Sequence, residues 1–530
     1  MFDQSHLAAR AANHLPLSPL DQLDRTLLVH GARPAVAWRD DLWTWDQFGA
    51  VIRRMAHWLA GQGVGRGDVV SVMLTNRPEL LAAHFAVPAL GAVLNALNTR
   101  LEAEEIAYIL DHAGSKLVIC ENATLPHLAG AQVPVHVVPD TADGAEGLNL
   151  FTGPDAPLDW RANITDEWQP IALNYTSGTT GRPKGVVYTH RGACMNALGN
   201  VLALGLTADS RYLWTLPMFH CNGWSQTWAV TAAGGLHVCL DKVDPELILS
   251  EIERHAVTHM SCAPVVLYMM LHSAKAPPPV RVKVATGGAA PTPALLEGME
   301  TLGFDLIHLY GLTESYGPAT LNDPGPDAPG TIAERAELLA RQGKRHITAA
   351  TPRVVDDQGR DVPADGQTVG EIVLRGNTLM AGYYRNPEAT EAAFAGGMFH
   401  TGDLAVMHPD GQIQIRDRAK DVIISGGENM SSLEVENVLH KHPSVLIAAV
   451  VAAPHPKWGE TPWAFVEPKP GVTPNPADLD QFCRAHLAGF KRPKRYVFGP
   501  LPRTATGKIQ KFVLRDQARA MAADSQEQVP

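Results

Sequence analysis

Along residues 30–320 short aliphatic runs alternate with amphipathic stretches of helical length. DVVSVML (68–74) reads as a buried strand, a helix is expected near 77–90, and AVLNAL (92–97) reads as the next strand. KLVIC (116–120), HVVP (136–139), VTHMSCA (257–263) and VKVAT (282–286) repeat the pattern without a fixed period. Apolar runs of strand length separated by helices predict parallel sheets covered on their faces. The expected fold class is α/β, built as layered subdomains.

The pattern changes after about residue 370. GEIVLRG is strand-like, and VMHPDGQIQIRDR reads as a hairpin turning at Pro-Asp-Gly. SSLEVENVLHKH opens like a helix with a capping box from Ser431 to Glu434. VLIAAVVAA and PWAFVEP look like strands, NPADLDQFCRAHLAGF looks like an amphipathic helix, and FKRPKR (490–495) reads as a solvated charge run. Together they make a compact α+β unit of roughly 110 residues. The boundary is placed near Lys420, giving a large N-terminal domain, 1–419, and a small C-terminal domain, 420–530.

Composition narrows the function classes. The chain has 530 residues, 45% of them hydrophobic, enough to bury several cores. Its formal charge of −11 argues against general binding to nucleic acid or an anionic membrane surface. The six cysteines include no C-x-x-C pair, which reads as reduced intracellular thiol rather than a zinc site or disulfide framework. The N-terminus lacks the apolar core of a signal peptide, and the aliphatic run 445–453 is too short to span a bilayer. The ending QEQVP carries no peroxisomal tag. A soluble cytoplasmic protein is expected, with a homodimer left open.

The chemistry concentrates in YTSGTTGRPKGVVYTH, Tyr175 to His190. Glycines let a backbone turn tightly and aim successive N–H groups at one point, which suits a phosphate. The hydroxyls of Thr176, Ser177, Thr179 and Thr180 add donors, and Arg182 and Lys184 add charge. The flanking PIALNY and GVVYTH are both strand-like, and Lys184 sits between Pro183 and Gly185. A Walker A loop, which opens directly into a helix, is thereby excluded, as is a Rossmann fingerprint. The loop is phosphate-directed but of another type.

TGGAA (286–290), YGLTES (310–315), HTGDLA (400–405), RDRAKDVIISGGEN (416–429) and LPRTATGKIQK (501–511) follow in order. With YTSGTTGRPKG, this set resembles the adenylate-forming superfamily of acyl-CoA synthetases, luciferases and peptide-synthetase adenylation domains, over nearly the whole chain. The resemblance implies two half-reactions. A carboxylate attacks the α-phosphate of MgATP to give an acyl-adenylate and pyrophosphate, and the thiol of coenzyme A then displaces AMP. Both nucleophiles are substrates, so no Ser-His-Asp triad is needed. The protein has to align the attacking oxygen and neutralise charge.

The resemblance also implies roles. Thr176, Ser177, Gly178, Thr179, Thr180, Gly181 and Lys184 would hold the β- and γ-phosphates of ATP. Tyr310 would stack on adenine, with Gly288 and Ala289 lining the base. Thr313 would donate to the α-phosphate, and Glu314, with Thr176, would hold Mg2+, a hard cation that prefers oxygen. Asp403 would accept from both ribose hydroxyls, and Arg418 would approach ribose or phosphate. Lys508, in TATGKIQ, is the chief catalytic candidate, touching carboxylate and α-phosphate oxygens during adenylation. Lys420 would be the hinge about which a mobile C-terminal domain rotates between half-reactions. Rotation would remove Lys508 and bring in Gly426, Gly427 and Glu428 for the pantetheine arm of coenzyme A.

LPMFHCNGWSQTW (216–228) falls where this family carries its acyl gate, so His220 and Trp224, with Gly287 and Gly311, are expected to line the acyl pocket, and His220 is also a catalytic candidate that would contact the carboxylate during adenylation. Trp228 would share the face of Trp224 if the segment were helical. No acidic residue stands between 214 and 234 to meet an ammonium, which argues against an amino-acid substrate. The closest resemblance is to ligases for short- or medium-chain and substituted acids, such as 3-methylmercaptopropionate. Two stretches depart from the family: Met398 stands where relatives often carry tryptophan, and 345–355 is atypical. The expected enzyme is an ATP- and Mg2+-dependent acid–CoA ligase. Its alternative passes the acyl group to a carrier-protein thiol or another acceptor. A non-catalytic nucleotide-binding relative is disfavoured by the joint presence of Lys184, Glu314, Asp403, Arg418 and Lys508.

Overall fold

The computed structural model describes residues 5–144, 147–176, 182–273, 276–287, 293–325, 330–349, 351–425, 428–503 and 509–526. Among them, a seven-stranded sheet runs in the spatial order Gly382–Tyr383, Gly185–Thr189, Pro170–Tyr175, Val93–Ala96, Val69–Met73, Ser115–Glu121, Val135–Val138. From Pro170–Tyr175 onward the strands pair in parallel, while Gly185–Thr189 returns antiparallel as a hairpin. A nine-stranded sheet runs Lys344–Arg345, Gly317–Asn322, Phe304–Leu312, Val282–Gly287, His259–Cys262, Arg211–Leu213, Leu236–Cys239, Pro34–Trp38, Asp41–Thr44. Its interior is parallel and its two margins antiparallel. The α/β expectation holds, and each aliphatic run singled out above contains a strand.

Every residue of the helix Pro78–Ala89 is buried, as an interior helix that is apolar on all sides must be. It packs on Trp45–Gly61, whose start is fixed by reciprocal Thr44 and Gln47 capping bonds.

The remaining strands are mainly antiparallel. Thr351–Val355, Val369–Arg375, Phe399–Met407 and Ile413–Arg418 form a four-stranded sheet whose final hairpin places Asp403 opposite Arg418. Ile423–Ser425, Glu428–Met430, Val445–His455, Gly459–Pro468 and Arg495–Phe498 form the C-terminal sheet. Along Val445–His455 alternate side chains enter opposite cores: Ala448 and Val450 meet helices Ser432–Leu439 and Pro476–His486, whereas Ala449, Val451 and Ala453 meet Lys511–Gln526.

Two local expectations need correction. Ser431 does cap its helix, accepting from the Glu434 N–H at 3.2 Å, but the reciprocal half of the box is missing. The Glu434 carboxylate turns instead to Lys491 at 2.7 Å. The FKRPKR run is therefore only partly solvated, and the Arg495 guanidinium lies 4.8 Å from the centre of the Trp463 ring. Among the described residues no helix is long and apolar enough to cross a membrane. All six cysteines are free and buried.

Candidate active site

The hairpin of Pro170–Tyr175 and Gly185–Thr189 closes the base of the glycine-rich segment, where the Thr176 N–H donates to the Lys184 carbonyl at 3.0 Å. Ser177, Gly178, Thr179, Thr180 and Gly181 lie outside the described residues. The ammonium of Lys184 stands 4.7 Å from the centre of the Tyr383 ring, a cation–π contact. Tyr383 donates its hydroxyl to Glu314 Oε1 at 2.8 Å, so one tyrosine holds both the lysine and the carboxylate. Burial and the adjacent Glu314 carboxylate raise the Tyr383 phenol above its ordinary range and keep it a donor.

Glu314 sits in the single turn Thr313–Ser315 that follows strand Phe304–Leu312. Backbone contacts fix that turn: the Met380 N–H donates to the Glu314 carbonyl at 2.8 Å, and the Tyr188 hydroxyl to the Thr313 carbonyl at 2.6 Å. Among the described residues no group of three or more His, Cys, Asp and Glu side chains could hold a metal. A single oriented carboxylate fits Mg2+, which takes one or two carboxylates and completes its shell with water and substrate phosphates.

The gate segment is not the start of an ordinary helix. From Cys221 to Ser225 every residue has a positive φ, between 44° and 61°. Gly223 and Asn222 tolerate this region, but Cys221, Trp224 and Ser225 each bear about 1–2 kcal/mol of left-handed strain, which persists only where the surroundings enforce it. Here they do. Asn222 donates to His84 Nε2 at 3.2 Å and accepts from Asn174. Asn200 donates to the Trp224 carbonyl at 2.8 Å, and the Ser225 hydroxyl to the Tyr316 carbonyl at 3.1 Å. The Cys221 thiol reaches Thr313 Oγ1 at 3.5 Å, tying the turn to the adenylation machinery expected around Thr313. Burial pushes that thiol up to about 12.

Trp224 and Trp228 therefore do not share a helical face. Trp228 belongs to the helix Gln226–Ala233 and is buried edge-on against Tyr316, at 5.5 Å between ring centres. Trp224 lies over the end of strand Val282–Gly287, where a Cβ on Gly287 would come within 3.1 Å of Trp224 Cη2. At Gly311 a Cβ would meet the Gly317 carbonyl oxygen at 2.1 Å, so only glycine fits that approach. Half-buried His220 precedes the turn, with Nε2 4.0 Å from Cys221 Sγ. Gly288 and Ala289 lie outside the described residues.

A second cluster joins two sheets. Tyr310 is 8% exposed and donates its hydroxyl to Asp403 Oδ2 at 2.8 Å. Arg418 Nε lies 3.0 Å from Asp403 Oδ1. Both carboxylate oxygens thus have one partner, and each keeps acceptor capacity for a further donor. Burial, followed by the Asp403 charge, raises the Tyr310 phenol well above its usual value. Two residues beyond Arg418, burial and the Arg418 charge lower the Lys420 ammonium.

Gly426, Gly427 and Lys508 lie outside the described residues, while Glu428 is exposed at the start of strand Glu428–Met430. Near these positions Lys511 pairs with buried Glu436 at 2.7 Å and donates to the Ser432 hydroxyl at 2.7 Å. Ser432 in turn donates to Asp417, joining the last strand of the antiparallel sheet to the first C-terminal helix.

Residues 23–384 match the family model described as AMP-binding enzyme, and residues 434–508 match that of the AMP-binding enzyme C-terminal domain. The chain belongs to the AMP-binding enzyme family. An acetate–CoA ligase of Humulus lupulus is 44% identical to this AMP-binding enzyme, with 98% of each chain covered. A peroxisomal acetate/butyrate–CoA ligase of Arabidopsis thaliana is also 44% identical, with 96% of each covered. The fold superposes on the o-succinylbenzoate coenzyme A synthetase of Bacillus subtilis, solved with ATP and a magnesium ion. That match has a TM-score of 0.80 and 29% identity, and covers 94% of this chain and 98% of the other.

Several side chains in this AMP-binding enzyme's site were not singled out from the sequence. Tyr383, Tyr188 and the His84–Asn222–Asn174 group act through partners far away in the chain. The one local signal was the Gly-Tyr-Tyr run at 382–384, a short aromatic strand that pairs with Gly185–Thr189.

Proposed function

We propose that the acid this enzyme activates is a short one, of the acetate-to-butyrate class, and that it is seated beneath Trp224. The reaction itself is ATP-dependent ligation of a carboxylic acid to coenzyme A, through acyl-AMP with release of pyrophosphate and then to acyl-CoA and AMP. The observation that carries the choice of acid is the Trp224 indole lying within a Cβ's reach of Gly287, held by a strained turn that the core enforces. An indole so fixed leaves little depth for an alkyl chain. The relatives named for acetate and butyrate agree with that depth.

In this reading Thr176, Lys184 and the glycine-rich segment between them hold the outer phosphates. Glu314 and Thr176 would hold Mg2+, which when bound would neutralise charge on the phosphate oxygens. His220 and Thr313, at the two ends of the Cys221 contact, face the reacting carboxylate and α-phosphate. Asp403, oriented by Tyr310 and Arg418, takes the ribose diol. Lys508 neutralises charge as the carboxylate attacks, a contribution of roughly 3 kcal/mol if it acts only in the transition state. The chain divides into 1–419 and 420–530, with Lys420 as hinge, since one sheet ends at Arg418 and the next begins at Ile423. Rotation there exchanges Lys508 for Gly426, Gly427 and Glu428 before coenzyme A attacks. A cytoplasmic location fits six free buried thiols and is checked by imaging a fluorescent fusion.

The test is AMP and thioester formation from MgATP across acetate to laurate, phenylpropionate and 3-methylmercaptopropionate, with and without coenzyme A. Thioester should appear only with coenzyme A, peak among acetate, propionate and butyrate, and fall from hexanoate onward. A maximum at octanoate or laurate would refute the short pocket, and pyrophosphate release without thioester would assign a different acceptor.

A further inference from the structure

The base of the phosphate hairpin is gripped by a helix that none of the expected roles uses. The helix Ala103–Ala113 presents Tyr108 and His112 one turn apart, with their rings stacked at 5.5 Å. His112 Nδ1 shares a hydrogen bond of 2.7 Å with the Tyr175 hydroxyl, and Tyr175 is the last strand residue before Thr176. The Arg182 guanidinium lies 5.0 Å from the centre of the Tyr108 ring, and Arg182 is two residues before Lys184. The same helix thus holds the chain on both sides of the glycine-rich segment.

A second set of contacts closes the grip. Tyr384 packs edge-on against His112 at 5.8 Å and donates its N–H to the Gly185 carbonyl at 2.7 Å. Arg385 donates to the His112 carbonyl at 2.9 Å. Neighbouring Tyr383 is the residue that carries both Lys184 and Glu314.

We propose that Tyr108 and His112 are positioning residues for adenylation, fixing Tyr175 and Arg182, on either side of the glycine-rich segment, to one helix so that Lys184 is pre-organised for a polyphosphate. The physical need is plain. Both strands are already ordered by the seven-stranded sheet, but a cationic side chain that had to be ordered only on binding would weaken affinity for ATP. The inference rests on the reading of the Lys184 hairpin as the holder of the outer phosphates. It adds that the helix, not the hairpin alone, sets the affinity.

The two half-reactions separate this role from a merely structural one, because only adenylation uses the β- and γ-phosphates. Tyr108→Ala should raise the KM for ATP about five- to tenfold, the loss of a partly shielded cation–π contact and its stacked ring. Thioester formation from supplied acyl-adenylate and coenzyme A should stay within about twofold of wild type. Tyr108→Phe, which keeps the ring face, should restore the KM. Arg182→Gln, at an exposed side chain that leaves the core intact, should raise the KM about threefold. The double variant should then be no worse than Tyr108→Ala alone. An unchanged KM in Tyr108→Ala, equal loss in both half-reactions, or fully multiplicative effects in the double variant would overturn the proposal. Lys184→Ala is the control for its premise. If that variant keeps a wild-type KM for ATP, the phosphate reading of the hairpin fails and takes the proposal with it. If Lys184→Ala impairs ATP binding while Tyr108→Ala does not, only the proposal fails.

Discussion

Tyr310, in the nine-stranded sheet, donates its hydroxyl at 2.8 Å to Asp403, in the antiparallel sheet beside it. Arg418 occupies the other carboxylate oxygen at 3.0 Å, so a 3% exposed carboxylate is oriented from two sides. Tyr310→Phe keeps the ring face and removes only the hydroxyl. Leaving a buried acceptor short of a donor costs about 1–3 kcal/mol. The expected result is a loss of about tenfold in kcat/KM for ATP, read by pyrophosphate release, with the preferred acid unchanged. An unaltered kcat/KM would mean that Arg418 alone orients Asp403.

The hairpin around Lys184 was legible because its signals are local: alternating strands on both sides, glycines between them, and a Pro-Lys-Gly that forbids a Walker helix. The Asp403–Arg418 pair was legible as two motif residues, and strand register brings them opposite each other. The turn from Cys221 to Ser225 was not legible. Asn222 and Gly223 tolerate a left-handed path but cannot signal one that runs through Cys221, Trp224 and Ser225 as well, and the conformation is held by Asn174 and His84, which lie 48 and 138 residues from Asn222. The Ser431 cap was half legible. Its donor is local, but the Glu434 side chain was claimed by Lys491, 57 residues on.

The Trp224 indole lies within a Cβ's reach of Gly287, and an acyl chain seated there would have its depth set by that indole. Trp224→Ala should shift the preferred acid towards hexanoate and octanoate. Each added methylene that finds apolar surroundings is worth about 0.8 kcal/mol, so the hexanoate-to-acetate ratio of kcat/KM should rise at least about tenfold. Gly287→Ala should act in the opposite direction, disfavouring butyrate against acetate. A specificity profile that Trp224→Ala leaves in place would remove the indole from the pocket.

Lys508→Ala tests the division of labour between the half-reactions. A cation present only for adenylation contributes roughly 3 kcal/mol, so acyl-AMP formation should slow by about 100-fold or more. Supplied acyl-adenylate should still be converted to thioester at close to the wild-type rate. Equal loss in both half-reactions would defeat the assignment.

The turn that carries Trp224 rests on a histidine kept neutral. His84 is fully buried, its Nδ1–H donates to the Leu80 carbonyl at 2.8 Å, and its Nε2 accepts from Asn222 at 3.2 Å. Burial lowers its pKa to about 4, and nearby His237 is held at about 3 by burial and by His84 itself. The unfolded chain takes up these protons near about 6.5, before the folded protein does. Stability from neutral His84 is therefore fully present above that value and is lost as pH falls towards the folded pKa. The slope is about 1.4 kcal/mol per pH unit for one such group. Protonation would also remove the lone pair that accepts from Asn222 and release the strained turn. Tm should fall more steeply between neutral pH and about 5 in the wild type than in His84→Gln, which retains a hydrogen-bonding side chain but cannot titrate. Parallel Tm profiles for the two proteins would show that His84 is not what makes the fold sensitive to acid.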